Sequence, residues 1–293
     1  MKILITGASG FIGGQLVQTA AKRFGSTNVL ALSSRPIENI NTIIYDSSDF
    51  SIAQKNYPQD IDIVIHAGSF TPKSHLESND IHGCSSNIHF TEKLFHSNLP
   101  NLRSVIYLST LDVYAPSELT DEETATLPKT LYGLSKLYCE RMIQEAARAR
   151  GITSQILRIG HVYGPGEEKY QKFIPNVMRD IIAGKPVELW GDGTALRSYI
   201  FIDDVIEAIL ASVPLDSTSN IVNIVSGNAY PIKELLAKII AISGKDVQVI
   251  QRSLTGENRD YVFDDRKCRN LLTKETELTT GLRSEYDYFN RLA

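Results

Sequence analysis

The feature that most limits how this chain can fold is an alternation. Short, uniformly apolar and β-branched runs are separated by longer stretches with the period of a helix. The runs Lys2–Thr6, Asn28–Leu32, Thr42–Tyr45, Ile61–His66, Ser104–Ser109 and Ser154–Arg158 read as strands. Most are bounded by Gly, Ser, Asp or Asn and are too short for helices. Between them Ile12–Phe24, Asn87–Ser97 and Lys136–Arg150 read as helices, with Ile12, Leu16, Ala20 and Phe24 recurring every four positions on one face. Strands that alternate with helices imply right-handed crossovers, hence an α/β chain whose doubly wound parallel sheet is covered on both sides.

The rhythm changes at Gly164-Pro165-Gly166. Beyond it we expect a helix over Phe173–Ala183, a turn at Gly191-Asp192-Gly193 and a strand at Ser198–Ile202. A helix at Asp204–Ser212, a strand at Ile221–Ile224 and a helix at Ile232–Ser243 follow. This division predicts a first domain over 1–163 and a smaller lobe over 164–293, parts of which pack back on the first.

The 293 residues include 42% hydrophobic and 22% charged side chains, enough for a full core, and the net charge is −4. With no block of Lys or Arg, the chain has nothing to draw it to a nucleic acid or an anionic membrane. Cys84, Cys139 and Cys268 are scattered, which argues against a disulfide framework or a metal site and for a reducing compartment. The N-terminus enters a strand at once, and no apolar run reaches a spanning length, so the expected location is the cytoplasm.

The first strand runs into Gly7-Ala8-Ser9-Gly10-Phe11-Ile12-Gly13, which opens an amphipathic helix. Glycines at such a junction permit a tight turn and close backbone approach, and the helix N-terminus presents free N–H groups to a pyrophosphate. The G-x-x-G-x-x-G spacing is one residue wider than the familiar dinucleotide fingerprint, and alone it would mark only a tight turn. We expect Gly7, Ser9, Gly10, Phe11, Ile12 and Gly13 to hold a dinucleotide. The second strand ends Leu32-Ser33-Ser34-Arg35. Small hydroxyl residues there leave room, and the guanidinium suits a ribose 2′-phosphate, so Ser33, Ser34 and Arg35 point to NADP before NAD.

Downstream, Tyr132-Gly133-Leu134-Ser135-Lys136 sets a phenol and an ammonium four residues apart, on one helix face. A phenol titrates near ~10, and a neighbouring ammonium with an oxidised nicotinamide would lower that value. Thr110, at the end of the fifth strand, is placed to hydrogen-bond a substrate hydroxyl, because ligands in such sheets sit at strand C-termini. Asp112 just beyond is either a substrate contact or a surface carboxylate.

In order along the chain, these motifs resemble the extended short-chain dehydrogenase/reductase family, within its NAD-dependent epimerase/dehydratase group. The resemblance runs from Thr6 to Gly13, through Asp62-Ile63-Val64-Ile65-His66-Ala67-Gly68, Asn87, Ser109-Thr110, Val113-Tyr114 and Tyr132 with Lys136. It ends with Arg158, Tyr163-Gly164-Pro165-Gly166, and Arg197 before Phe201-Ile202-Asp203-Asp204. It implies a Rossmann-like domain with a C-terminal substrate lobe, and Thr110, Tyr132 and Lys136 as the catalytic set. It also puts Asp46 and Ser47 near the adenine and Ala67, Gly68, Ser69 and Asn87 along the cofactor, with Tyr132 and Lys136 also touching it. The implied substrate is a nucleoside diphosphate sugar, with Arg197 holding a phosphate and Thr110 and Asp112 as candidate contacts; His161, where many epimerases of the group have Asn, is either a contact to the sugar or diphosphate or a satisfied structural residue. The implied assembly is a homodimer through Asn87–Ser97 and Lys136–Arg150.

Sugar 4,6-dehydratases of this family carry two adjacent acids after the Thr; here Leu111 takes the first place. The resemblance therefore implies 4-epimerisation through a 4-keto sugar, with NADPH-dependent reduction of a 4-keto-6-deoxy sugar as the alternative. A non-catalytic NADP-sensing protein is the reading from another class.

Overall fold

The computed structural model describes residues 1–46, 50, 58–213, 220–253 and 259–293. In chain order its first six strands are β1 Ile3–Thr6, β2 Val29–Ser33, β3 Asn41–Ile44, β4 Ile63–His66, β5 Ser104–Thr110 and β6 Thr153–Ile159. The rest are β7 Val162–Tyr163, β8 Val187–Trp190, β9 Leu196–Ser198, β10 Ile200–Phe201, β11 Asn220–Ile224, β12 Ala229–Pro231 and β13 Val249–Arg252. The helices are α1 Phe11–Phe24, α2 Ile81–His96, α3 Leu131–Arg150, α4 Phe173–Ile182, α5 Ile202–Ala211, α6 Ile232–Ser243, α7 Arg266–Arg269 and α8 Leu278–Leu292.

Seven strands form one all-parallel sheet in the order β11-β6-β5-β4-β1-β2-β3. Every residue of β1, β2, β4 and β5 is buried, which is why these strands read as unbroken apolar runs. Alternate residues feed opposite layers. Ile3 and Ile5 pack with Leu16 and Ala20 of α1 and Val205 and Ile209 of α5. Leu4 faces Phe90 and Leu94 of α2 and Cys139 and Ile143 of α3. Each of the Leu, Ile, Val and Phe side chains contributes roughly 1.5–3 kcal/mol of burial.

The chain winds outward from β1 through β2 to β3, then returns to add β4 on the other side of β1. Thr6 thus lies between Leu32 and His66 in register. A crevice opens at the strand C-termini where the winding reverses, and ligands bind in such crevices. Late in the chain, β11 joins the same sheet beside β6, and α5 lies against α1. No helix among the described residues is long and apolar enough to cross a membrane.

Two helices begin earlier than their apolar period suggests. Helix α2 starts at Ile81, where the Asp80 carboxylate accepts the Gly83 N–H at 2.8 Å, so Asn87 is in its middle and buried. Helix α3 starts at Leu131, where the Thr130 hydroxyl accepts the Gly133 N–H at 3.1 Å. Gly and Ser in these first turns hide the helical period, but both caps are residues that favour that position. The expected strand at Ser198–Ile202 is two short strands, β9 and β10, with α5 already beginning at Ile202.

Candidate active site

The glycine turn follows directly from the topology. Gly7 has φ +68°, and a Cβ there would stand 2.6 Å from the Gly68 Cα, so the ends of β1 and β4 meet backbone to backbone. The Gly7 N–H donates to Leu32 O at 3.1 Å and the Gly10 N–H to Gly7 O at 2.9 Å. Helix α1 then starts with no side-chain cap and no acidic residue in its first turn. Its first amides and partial positive charge therefore remain available to an anion.

A cleft of about 800 Å³ runs from this turn across the ends of β4, β5 and β6. Gly7, Ser9, Gly10, Phe11, Ile12 and Gly13 line one end, with Ala67, Gly68, Ser69 and Asn87 beside them. Thr110, Asp112, Tyr132, Lys136 and His161 line the other. Ser33, Ser34, Arg35, Asp46 and Arg197 are not on its wall, and Ser47 lies outside the described residues. Ser33 is buried, its hydroxyl taken by the Arg35 N–H at 3.4 Å rather than open to a ribose. Arg35 itself is exposed, its guanidinium 3.4 Å from Ser9 O beside the glycine turn. Arg197 donates through Nη1 to Leu196 O and Arg259 O at 2.8 and 2.6 Å, behind the wall rather than on it.

The Tyr132 phenol is buried, with the hydroxyls of Thr110 and Thr71 as its neighbours. Lys136, one turn along α3, is almost fully buried. Its Nζ donates to Leu108 O at 2.6 Å and Ser69 Oγ at 3.3 Å, 4.3 Å from the centre of the Tyr107 ring. Burial pulls this ammonium down to about 8. The expected lowering of the Tyr132 phenol is not what this geometry gives. Burial pushes it up and the Asp112 charge adds to that, while the Thr71 and Thr110 hydroxyls act against both. Asp112 is exposed on the cleft although protein surrounds it; burial raises its carboxyl, and His75 and Arg259 pull it back.

Beneath the cleft, hydrogen bonds link its two ends. Thr6 Oγ1 accepts the Gly68 N–H at 2.8 Å and contacts His66 Nδ1 at 2.8 Å. Thr91 Oγ1 donates to Asn87 O at 2.8 Å and lies 3.0 Å from His66 Nε2. With the Thr91 proton engaged, Nε2–H must be the donor, and the network assigns Nδ1 as acceptor for the Thr6 hydroxyl. Burial, with help from Lys136, keeps this imidazole neutral, at about 3. Asn87 accepts the Phe70 N–H at 2.6 Å and donates to Ser135 Oγ at 3.1 Å, and Ser135 donates to Tyr132 O at 2.8 Å.

A second brace sits one turn beyond Lys136. Arg158 of β6 donates Nε and Nη2 to the Glu140 carboxylate of α3 at 3.0 and 2.8 Å, and both residues are at most 2% exposed. Ser109 of β5 donates to the same carboxylate, and the guanidinium stacks 4.6 Å from the Tyr114 ring centre. Sequence reasoning missed Thr71, the Thr6–His66–Thr91 chain and the Glu140–Arg158 pair as parts of the site. The one available signal was a Glu four residues after Lys136, on the same helix face.

The model of the NAD dependent epimerase/dehydratase family matches residues 3–224. An Arabidopsis thaliana relative is a trifunctional UDP-glucose 4,6-dehydratase/UDP-4-keto-6-deoxy-D-glucose 3,5-epimerase/UDP-4-keto-L-rhamnose-reductase. It is 24% identical over 99% of this chain and 47% of its own length. The chain thus spans about half the length of that relative. Among solved structures, MoeE5 in complex with UDP-glucose and NAD is 27% identical, with a TM-score of 0.83 over 100% of this chain and 99% of its own. UDP-glucuronic acid 4-epimerase from Bacillus cereus, in complex with UDP-glucuronic acid and NAD, is 25% identical, with a TM-score of 0.83 over all of both chains.

Proposed function

The chain belongs to the NAD-dependent epimerase/dehydratase family, and we propose that it is a nucleoside-diphosphate-sugar 4-epimerase acting through a 4-keto sugar. One observation carries this reading: Thr110, Tyr132 and Lys136 converge on a cleft that begins at the uncapped N-terminus of α1. The UDP sugars and NAD held by MoeE5 and the Bacillus cereus 4-epimerase support the classes of substrate and cofactor.

A nicotinamide cofactor, when bound, supplies a hydride acceptor and donor for sugar C4. Tyr132 takes the proton of the C4 hydroxyl and later returns it. Thr110 and Thr71 donate to the phenolate as it forms, offsetting the burial that otherwise disfavours it. Lys136 has three N–H donors, two of them engaged by Leu108 and Ser69, which leaves one for a ribose hydroxyl. Epimerisation would require the keto sugar to turn its other face to the cofactor side of the cleft before Tyr132 returns the proton. Dehydration would need an acid to expel the C6 hydroxyl, and Leu111 stands where such an acid would.

Arg35, beside the glycine turn with no carboxylate at the end of β2, favours NADP over NAD. The same residue supports the second reading, NADPH-dependent reduction of a 4-keto-6-deoxy sugar, since cells keep that cofactor mostly reduced. We assign the substrate lobe to residues 164–293, of which α5 and β11 pack back on the first domain. We also assign a homodimer to the outer faces of α2 and α3, where Ile81, Leu131, Leu134 and Tyr138 are exposed apolar side chains; light scattering in solution reads this directly. Replacing Tyr132 with Phe should lower turnover by about 10²–10⁴-fold and leave cofactor affinity unchanged. Isomerisation of a sugar nucleotide with no net change in reduced-cofactor absorbance identifies the epimerase. Stoichiometric consumption identifies the reductase, and activity undiminished in the Phe variant removes both.

A further inference from the structure

The cleft is bridged by a contact between two loops. One is residues 69–79, which lead from β4 toward α2, and the other is residues 164–172, between β7 and α4. The Gln171 N–H donates to Lys73 O at 2.7 Å, the one backbone hydrogen bond among the described residues that joins them. Both loops line the cleft, Thr71 and His75 from one side and Tyr170 and Lys172 from the other. Tyr170 also packs against Phe11 of the glycine turn, ring centres 5.9 Å apart, while Thr71 stands beside the Tyr132 phenol. The bridge therefore spans the cleft between its glycine end and its catalytic end.

The two loops are not held equally. Residues 164–172 are tied down along their length. Gln15 Nε2 of α1 donates to Pro165 O at 2.7 Å, and Arg179 Nη2 of α4 donates to Tyr170 O at 2.8 Å. Lys172 Nζ donates to Val162 O at 3.1 Å and to the buried Glu167 carboxylate at 2.9 Å. In the other loop only the ends are fixed. The Asn87 side chain clamps Phe70 through both its N–H and its carbonyl, at 2.6 and 3.3 Å, and Asn79 Oδ1 accepts the Leu131 N–H at 3.0 Å. Between these ends Thr71, Lys73, His75 and Leu76 are exposed, Leu76 at 91%. A segment with little buried apolar surface, latched to another element by one backbone bond, opens at low cost.

Resting on the reading that a dinucleotide fills this cleft, we propose that residues 71–77 are a flap, latched to a fixed post at residues 164–172, that swings away for the cofactor to enter or leave. A dinucleotide reaching from the glycine turn to Tyr132 would lie along the cleft that the latch bridges, so its exchange needs the Lys73–Gln171 bond to open. Thr71 and His75 line the cleft only while the flap is closed, and a cofactor that touches them draws the equilibrium toward the closed form. Closure also keeps Thr71 beside the phenol and His75 near Asp112, so the catalytic end is complete only with the flap down. An epimerase regenerates its cofactor in place and need not open the flap for it. A reductase would open it at every turnover.

A disulfide across the latch tests this. Cys84, Cys139 and Cys268 are all buried, so Lys73→Cys with Gln171→Cys adds the only exposed thiols among the described residues. Displacement of bound NADPH by excess NADP, followed by fluorescence, gives the release rate. The double variant, loaded and then oxidised, should release NADPH at least about 100-fold more slowly than the same protein after dithiothreitol, and protein oxidised while empty should load as slowly. Each single variant should exchange at the parent rate under the same oxidant. Equal rates before and after reduction, with the disulfide confirmed by mass, overturn the inference alone. If the disulfide does not form, hydrogen exchange at the Gln171 amide of the parent protein decides. It should slow by about tenfold or more when NADPH is bound, and an unchanged rate overturns the inference as well. If neither NADPH nor NADH binds the reduced protein, the dinucleotide reading falls and the inference with it.

Discussion

Gly133, in the first turn of α3, lies directly against the backbone of Asp112, in the turn after β5. A Cβ on Gly133 would run into the Asp112 carbonyl oxygen and stand 2.9 Å from the Pro128 Cβ. This close approach brings Tyr132 on α3 beside Thr110 at the end of β5. An alanine here would gain about 1 kcal/mol of helix propensity but would force backbone apart, which costs roughly 1–3 kcal/mol. The clash wins. Gly133→Ala should therefore lower the melting temperature and separate Tyr132 from Thr110. A displacement near 1 Å reduces turnover by about 10²-fold. Steady-state kinetics should show the loss in kcat, with cofactor affinity little changed; an intact kcat would mean that the helix does not depend on this contact.

What the sequence made legible follows its strongest physical signals. Buried parallel strands leave apolar runs, so all six expected strands lie within two residues of β1 to β6 at either end. The glycine turn and the Tyr132–Lys136 pair are local patterns, and local patterns survive without coordinates. What was not legible depends on tertiary contact. Tyr132 and Lys136 are four residues apart, yet the lysine's partners, Leu108 O and Ser69 Oγ, come from two other strand ends. The direction in which the phenol shifts depends on burial, which no spacing reveals. Helix α8 was missed because Thr279, Thr280, Gly281 and Ser284 obscure a period that Leu282, Tyr286 and Phe289 keep on the buried side.

The Glu140–Arg158 pair allows a test of stability separate from chemistry. Removing one partner of a buried, doubly hydrogen-bonded pair leaves an uncompensated charge and costs roughly 3–5 kcal/mol, whereas replacing both with apolar residues of similar volume is often close to neutral. Glu140→Leu alone should thus destabilise strongly, and Glu140→Leu with Arg158→Met should recover most of the loss. Denaturant unfolding of the three proteins measures this. If the double variant were as unstable as the single one, the pair would be stabilising by itself, beyond the need to satisfy Arg158.

Glu285 of α8 is fully buried beside Glu167, which is also buried. Burial, then the nearby Glu167, holds the Glu285 carboxyl well above the usual carboxylate range. The folded protein therefore keeps a proton there that the unfolded chain releases. That contribution to stability is complete below the unfolded value of about 4.3 and is lost as pH rises through the folded one. Glu285→Gln keeps the volume, can donate to Glu167, and has nothing to titrate. We expect the variant to be more stable than the parent at pH 8, by about 1–3 kcal/mol, with the gap closing toward pH 4. Thermal melts across this range check it, and a parallel pH dependence in the two proteins would contradict the assignment.

The cofactor preference proposed above rests on Arg35. Its exposed guanidinium, near the Ser9 carbonyl, offers a charged donor where β2 supplies only hydroxyls. A charge-assisted hydrogen bond to a phosphate contributes roughly 1.5–3 kcal/mol, and each 1.4 kcal/mol is a factor of about ten in affinity. Arg35→Ala should thus weaken NADP binding about 10- to 100-fold while leaving NAD nearly unchanged, since NAD has no phosphate at that hydroxyl. Because the side chain is exposed, the effect should shrink as salt is added. Fluorescence titration with both cofactors at low and high ionic strength separates the cases. Equal losses for NAD and NADP would assign Arg35 to support of the glycine turn, and tighter binding of NAD by the parent protein would remove the preference altogether.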